Sequence, residues 1–308
     1  MTDAEKIKAK GREFGFASVG ITRAEPLDRE GDRLRKWLTL GYHASMEWLP
    51  RTAEKRIDPS LVLPGARSVI AVALNYYTDA RHATDAATGK ISRYAWGDDY
   101  HDILGGRLRE FGEWLGHEFP GIEVKYYVDT GPMMDKVWAA KAGIGWEGKH
   151  TNVITREYGS WVFLGELLTT LELDCDVPAV DHCGTCTLCI DACPTHAIVE
   201  PYVVDGNLCL SYLTIEHRGE IEGEVKAHFD RWIYGCDTCQ DVCPWNRKFS
   251  VVTDEAGFVP REGNLEPRLE EWIGMGQEEF SFRFKGSPIK RAKREGLTRN
   301  ARIAIAGK

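Results

Sequence analysis

The 308-residue chain has no cysteine before Cys175 and no apolar run of the ~18 residues that a membrane-crossing helix needs. Nor does a charged-then-apolar leader follow Met1-Thr-Asp-Ala-Glu. The first absence excludes a disulfide framework for more than half of the chain. The other two argue against membrane and secreted classes, so the cytoplasm is the expected compartment, without a membrane partner. Acid is scarce at one end. From Arg283 to Lys308 a single acid, Glu295, stands against nine Lys or Arg, so this tail carries +8 and the preceding residues −16. An acidic body repels polyanions as a whole, whereas a basic end can hold one phosphate-bearing partner locally. A solvated helical surface is the plainer reading of such a charge run.

What is present reads as a globular mixture of helix and strand. The hydrophobic share of 43% and charged share of 28% are ordinary, and the length suits about two domains. Val69 to Tyr77 is a largely apolar run of strand length, as expected for a strand buried on both faces. Glu123 to Val128 is a short strand candidate, and Gly159 to Leu168 holds another. Between them a helix is predicted, with Pro132 in its first turn, Met133/Val137 and Met134/Trp138 as i,i+4 pairs, and Gly143 as its stop. Arg107 to His117 is a further amphipathic helix. Residues 174–182 form a polar linker, and after Pro244 an acidic, Gly-rich stretch leads into the basic tail.

Eight of the nine cysteines fall between Cys183 and Cys243. Clustered thiols in a reducing compartment point to metal. Cys183-x2-Cys186-x2-Cys189-x3-Cys193-Pro194 has the spacing of a bacterial ferredoxin loop, in which three thiolates wrap one cluster and the fourth serves the other. Cys236-x2-Cys239-x3-Cys243-Pro244 repeats the run without its first cysteine, and Cys209 is the available replacement. The crossed rule assigns Cys183, Cys186, Cys189 and Cys243 to one 4Fe–4S cluster, and Cys193, Cys209, Cys236 and Cys239 to a second. Zinc is the competing metal, since its tetrahedra also use C-x2-C. Cys175 is left over and is expected to be a small buried residue.

The first domain offers fewer signals. No G-x-G-x-x-G follows a strand. Gly143-x4-Gly148-Lys149-His150 nearly spells a phosphate loop, but His150 replaces the Ser or Thr that would hold magnesium, and the segment follows a helix. Asp99-Tyr-His101 begins like the Asp-x-His-x-x-Gly signature of some cobalamin proteins, with Leu104 in place of the glycine. Asp129 closes a predicted strand and precedes Thr130-Gly131-Pro132. Ligands gather at strand C-termini in open α/β sheets, and Asp is also a common helix N-cap, so two readings compete there.

The stretch from Val128 to Asn152, Val-Asp-Thr-Gly-Pro-Met-Met-Asp-Lys-Val-Trp-Ala-Ala-Lys-Ala-Gly-Ile-Gly-Trp-Glu-Gly-Lys-His-Thr-Asn, resembles the central motif of the epoxyqueuosine reductases. Glu54-Lys-Arg-Ile-Asp-Pro59, Leu63-Pro-Gly-Ala-Arg-Ser68, Arg93-Tyr94 and both ferredoxin runs agree with it. Ser287 to Asn300 resembles the opening of that family's C-terminal helical region.

The resemblance implies an oxidoreductase of α+β class that removes the epoxide oxygen of epoxyqueuosine at the tRNA wobble position, the last step of queuosine formation. A flavin-reductase-like α/β domain over 1–174 would bind cobalamin without a protein ligand to cobalt. A ferredoxin-like domain over 175–250 would hold two 4Fe–4S clusters, and 251–308 would be a short helical segment with the basic tail. Asp129 maps onto the family's proton donor, desolvated against the cofactor, with Asp99 and His101 as polar support. Arg56, Tyr94, Lys149 and Asn152 would lie near the cofactor. Lys290, Arg291, Lys293 and Arg294 would meet tRNA phosphates. A flavodoxin- or ferredoxin-type donor and a monomeric enzyme are expected. A cobalamin-dependent reductive dehalogenase-like reductase and a plain ferredoxin-type carrier are the alternatives. The first should carry an export signal, and the second leaves the Asp129 to Asn152 motif without a purpose.

Overall fold

The computed structural model of the protein describes residues 1–307. Its centre is a four-stranded sheet in the order Ser18–Arg23, Ser68–Asn75, Val162–Thr169, Val124–Tyr127, antiparallel throughout. Ser68–Asn75 is buried at every position, as its apolar run predicts. Alternation sends Ile70, Val72 and Leu74 into a core with Leu104, Leu108 and Phe111 of the long helix Tyr100–Glu118. Ala71 and Ala73 face the other way, onto Ala139 and Ala142 at the short helix Asp135–Lys141. Helices thus cover both faces. Because no pair in this sheet is parallel, the strand-end rule for parallel sheets does not locate a site here.

Three expectations need correction. The helix predicted from Pro132 begins at Asp135, since the chain between Val128 and Met134 is occupied by a turn. Cys175 is exposed, not buried, because it stands in the extended linker after the last sheet strand. The basic tail is not simply a solvated face. Its helix Lys293–Ala306 buries Leu297, Ala301 and Ala304 in a core shared with Trp96, Ile233, Tyr234 and Trp272. Arg299 is 8% exposed and donates to the carbonyls of Leu213, His217 and Gly219, while Asn300 donates to those of Thr214 and Ile233.

The cysteine region is built from short elements, among them the helices Leu188–Asp191, Leu210–Ile215, Thr238–Asp241 and Pro244–Phe249. The strand Trp232–Tyr234 pairs in parallel with Lys90–Ile91, so sheet contacts reach across the expected boundary at residue 174. A buried polar knot ties the two parts together. Asn246 Nδ2 donates to Ser160 Oγ at 2.8 Å, and Gln240 Nε2 to the same oxygen at 3.0 Å. Among the described residues, no helix is long and apolar enough to cross a membrane.

Candidate functional site

The strand Val124–Tyr127 stops just short of Asp129, whose φ of +56° puts a non-glycine residue in the left-handed region. Asp129 caps no helix. The cap position of Asp135–Lys141 is Met134, without a side-chain bond. Instead, Asp129 Oδ2 accepts from the Tyr100 hydroxyl at 2.8 Å. Asp129 is exposed in the chain alone, because it stands on the wall of a cavity of about 460 Å³. Thr151, also left-handed at +65°, lines the same space. Two such residues on one wall are the kind of strain that accumulates at functional sites.

Tyr100 is set by its ring, stacked on Phe163 at 4.2 Å and on His101 at 4.0 Å. Asp99 and His101 stand behind this layer, outside the cavity lining. Asp99 caps the long helix through the His101 N–H and also meets His101 Nδ1 at 2.7 Å. Burial alone would raise Asp99, but the bonds from His101 outweigh it and hold the carboxyl below its usual range. Burial likewise opposes the charge on His101, yet the bond and charge of Asp99 raise it.

Tyr94 lines the cavity and donates to the Tyr234 hydroxyl at 3.1 Å. Asn152 lines it too, its Oδ1 accepting from Lys136 Nζ at 2.9 Å. Arg56 opens onto a neighbouring cavity of about 440 Å³ that shares Asp135, Lys136, Thr151 and Cys209 with the first. Lys149 does not join them. Its Nζ donates to the carbonyls of Gly184 and Cys186, at 2.7 and 2.9 Å, so it braces the thiol loop. The left-handed turn at Thr151 separates it from Asn152.

The opposite wall is thiol. Cys193, Cys209, Cys236 and Cys239 line the main cavity, and the other four cysteines of the cluster runs do not. Burial pushes the Cys239 thiol well up, and the charges of Cys236, Cys209 and Cys193 add to it. Burial pushes Cys189 up to about 11, with Cys183, Cys243 and Cys186 adding. The thiols therefore stand as two quartets of mutual neighbours. Ionisation of Cys189 and Cys239 is therefore disfavoured unless a cation stands among the sulfurs. Among the described residues, no three Cys, His, Asp or Glu close to the spacing of a single ion. Thiolates around a four-iron cube stand farther apart than those around one zinc.

Three cavity groups, Tyr100, Asp135 and His150, escaped the sequence reading, as did Glu166, buried behind the wall. His150 had entered only as the residue that spoils a phosphate loop. Its Nδ1 accepts from the Asn152 N–H at 3.2 Å, so Nε2 carries the ring hydrogen. That Nε2 is buried on the cavity wall with no partner. Burial, then Lys136, lowers this imidazole to about 4, so it stays neutral.

Of the tail residues, Lys290, Arg291 and Lys293 are exposed and Arg294 is half-buried. Arg291 pairs with both oxygens of Glu216, at 2.8 and 3.0 Å, and Arg294 with Glu295 at 2.9 Å.

Comparison with known proteins decides the family. Residues 56–130 match the family described as Epoxyqueuosine reductase QueG, DUF1730, and residues 182–246 match a 4Fe-4S double cluster binding domain. The chain is 49% identical to an epoxyqueuosine reductase of Synechocystis, over 95% of this chain and all of that protein. It is 46% identical to one of Cellulophaga algicola, over 96% of each. The chain belongs to the epoxyqueuosine reductases. A solved epoxyqueuosine reductase with an epoxyqueuosine-modified tRNA-Tyr stem loop superposes at TM-score 0.91, with 33% identity, over 98% of this chain and 80% of that one. The Streptococcus thermophilus enzyme superposes at 0.88 with 31% identity, over 100% and 82%. The Bacillus subtilis enzyme, with an aspartate-bearing catalytic loop swung out of its active site, superposes at 0.89 with 32% identity, over 98% and 81%. Membership in this epoxyqueuosine reductase family makes the chain an oxidoreductase with a two-cluster 4Fe–4S domain.

Proposed function

We propose that the chain reduces epoxyqueuosine to queuosine in tRNA, using cobalamin held between residues 1–174 and the two-cluster domain of 175–250. One observation carries this reading: a single cavity has a strained aspartate on one wall and a thiol quartet on the other. Cys193, Cys209, Cys236 and Cys239 would hold the inner cluster. Cys183, Cys186, Cys189 and Cys243 would hold the outer one. Electrons from a flavodoxin- or ferredoxin-type donor to this monomeric, cytoplasmic enzyme would enter at the outer cluster and leave at the inner.

The residues fit a large polar-edged cofactor. Two adjoining cavities offer the room, and the unpaired His150 Nε2–H has a hydrogen bond to give to a group bound there. Tyr94, Asn152 and Arg56 would contact it; Lys149 would act through the thiol loop. When bound, cobalamin supplies a reducible cobalt centre able to work on the epoxide carbon. The chain does the rest. Asp129 gives a proton to the departing oxygen, Tyr100 holds its carboxyl in position, and the Asp99–His101 pair backs Tyr100. Lys290 and Lys293, with Arg291 and Arg294 behind their own acids, meet tRNA phosphates outside the cavity.

The test is direct. Anaerobic protein reconstituted with iron, sulfide and cobalamin, and given a low-potential donor, should convert epoxyqueuosine in tRNA to a nucleoside lighter by one oxygen. Unchanged nucleoside by mass spectrometry, with both clusters and cobalamin present, would sink the reading.

A further inference from the structure

We propose that Asp135 and Glu166 form a carboxyl pair that stores one proton behind the cavity wall and hands it to Asp129 during each reaction cycle. This rests on the acid role of Asp129 proposed above.

Glu166 is the one charged residue of the strand Val162–Thr169. It sits opposite Ala71 and Tyr127, on the strand face shared with Leu168, towards the helix Asp135–Lys141. It is 1% exposed, and its Oε1 has no donor in reach. Its neighbour is the Asp135 carboxyl, close enough for a hydrogen bond that only a shared proton can make. Asp135 is half-buried, and its open side borders both cavities. The pair therefore runs from a sealed site in the sheet to the wall beside Asp129.

The surrounding charges agree. Arg56 is fixed by bonds to the Met133 carbonyl at 2.6 Å and Thr52 Oγ1 at 3.0 Å, and it faces Asp135, Asp129 and Glu166. One cation against three carboxyls leaves two negative charges uncompensated, which favours a proton on the most buried of them, Glu166. Burial, then the charge and bond of Asp135, then Asp129, push Glu166 well above its ordinary range. Burial, then Asp129, push Asp135 up to about 6. Tyr127 is the other titratable group that meets Glu166, and Lys136 follows Asp135 in the chain. A carboxyl that is 1% exposed, with an oxygen that meets no donor, is held neutral, so the stored proton is assigned to Glu166.

The chemistry needs such a store. Turning an epoxide into an alkene breaks two C–O bonds and releases the oxygen as water. The change consumes two electrons, from the external one-electron donor by way of the clusters, and two protons. Asp129 supplies the first proton. Glu166 supplies the second through Asp135, and solvent refills the pair after product leaves.

Infrared spectra and pH–rate profiles test this on the full cluster-loaded chain. At pH 7 a protonated-carboxyl C=O band, shifted in D2O, should be present in wild type and in Asp129→Asn and missing in Glu166→Gln. Glu166→Gln keeps a hydrogen-bond donor beside Asp135 but has no proton to give up, so its loss of rate should grow as the pH rises and solvent protons become scarce. Single-turnover reduction at pH 8 should then fall by roughly tenfold, with KM for tRNA unchanged. Asp135→Asn, at the half-buried end, should keep the band yet show the same rate loss, which guards against a Glu166 variant that fails to fold. A wild-type band that survives Glu166→Gln, or superimposable pH–rate profiles, would overturn the pair. Wild-type turnover in Asp129→Asn would overturn the acid role and the hand-over with it. A missing Glu166 band beside an inactive Asp129→Asn would overturn the pair alone.

Discussion

The two walls of the cavity carry charge of the same sign and are relieved of it by different means. On the thiol wall, burial and then neighbouring charge push the Cys236 and Cys239 thiols up, and in the proposed ligand assignment a 4Fe–4S cluster takes up that negative charge. On the carboxyl wall, Asp129 and Asp135, with Glu166 buried behind them, face the single cation Arg56, and in the proposal above one stored proton does the same work. The difference teaches how a reduction needing equal numbers of electrons and protons can be arranged. In the proposed reading electrons are held on one face and protons on the other, so either supply can be altered without moving its counterpart.

The most severe way to break the comparison is to remove a thiolate from the cavity side. Cys209→Ser should lower iron from about eight to about four atoms per chain and abolish turnover, while the exposed Cys175→Ser leaves both unchanged. Iron and sulfide analysis reads the outcome; loss of a cluster in Cys175→Ser would contradict the ligand assignment.

Altering the opposite wall should spare the metal. Asp129→Asn removes no helix cap, so its thermal midpoint and iron content should match wild type. Single-turnover reduction by pre-reduced enzyme should nevertheless drop by roughly 10²–10⁴-fold. A variant within a few-fold of wild type would assign the proton to another group.

A third change should touch neither wall. Lys290 and Lys293 are exposed and show no acid partner among the described residues, whereas Glu216 and Glu295 hold Arg291 and Arg294. Replacing both lysines with Ala should flatten the salt dependence of tRNA binding by about two units of slope, roughly one per lost phosphate contact. Replacing the two arginines should flatten it less. Equal slopes for all variants would mean that the tail does not meet the phosphates.

The smallest effect concerns the pair behind Tyr100. The lowered Asp99 contributes stability above its ordinary value of 3.8, lost as pH falls through its folded value. The raised His101 contributes below its ordinary 6.5, lost as pH rises through its folded value. Both contributions are complete only between those two ordinary values. Asp99→Asn keeps the helix cap, so it should cost up to about 1 kcal/mol at pH 5 and less at pH 8, read from thermal unfolding. An equal cost at both pH values would mean that the pair is not ionic.

The thiol wall was legible because its information is local: fixed spacing within two short runs, plus one lone cysteine between them. The carboxyl wall was not, because Asp135, Glu166 and Arg56 meet only through the antiparallel sheet and the short helix packed on it. Glu166 did leave a signal, a single charge within an apolar strand, which nothing on the strand's own surface could satisfy. At Asp99-Tyr-His101 the two outer residues drew attention. The start of the long helix turns Tyr100 into the cavity and leaves His101 stacked behind it. The tail misled for a simpler reason. A count of charges ignores helical period, and Arg299 proved to be part of the interior.

Arg299 and Asn300 have a consequence for how the molecule is made. They hold the carbonyls of Leu213, Thr214, His217, Gly219 and Ile233, which flank Cys209 and Cys236. A ribosome reaches these two residues only after the last cysteine, at about 5–20 residues per second. The central sheet has all its strands by then, while the loop bearing the cavity-side thiols still lacks its brace. Until the last helix packs, the loop that bears Cys209 and Cys236 lacks these hydrogen bonds, so the element made last is the one that closes it.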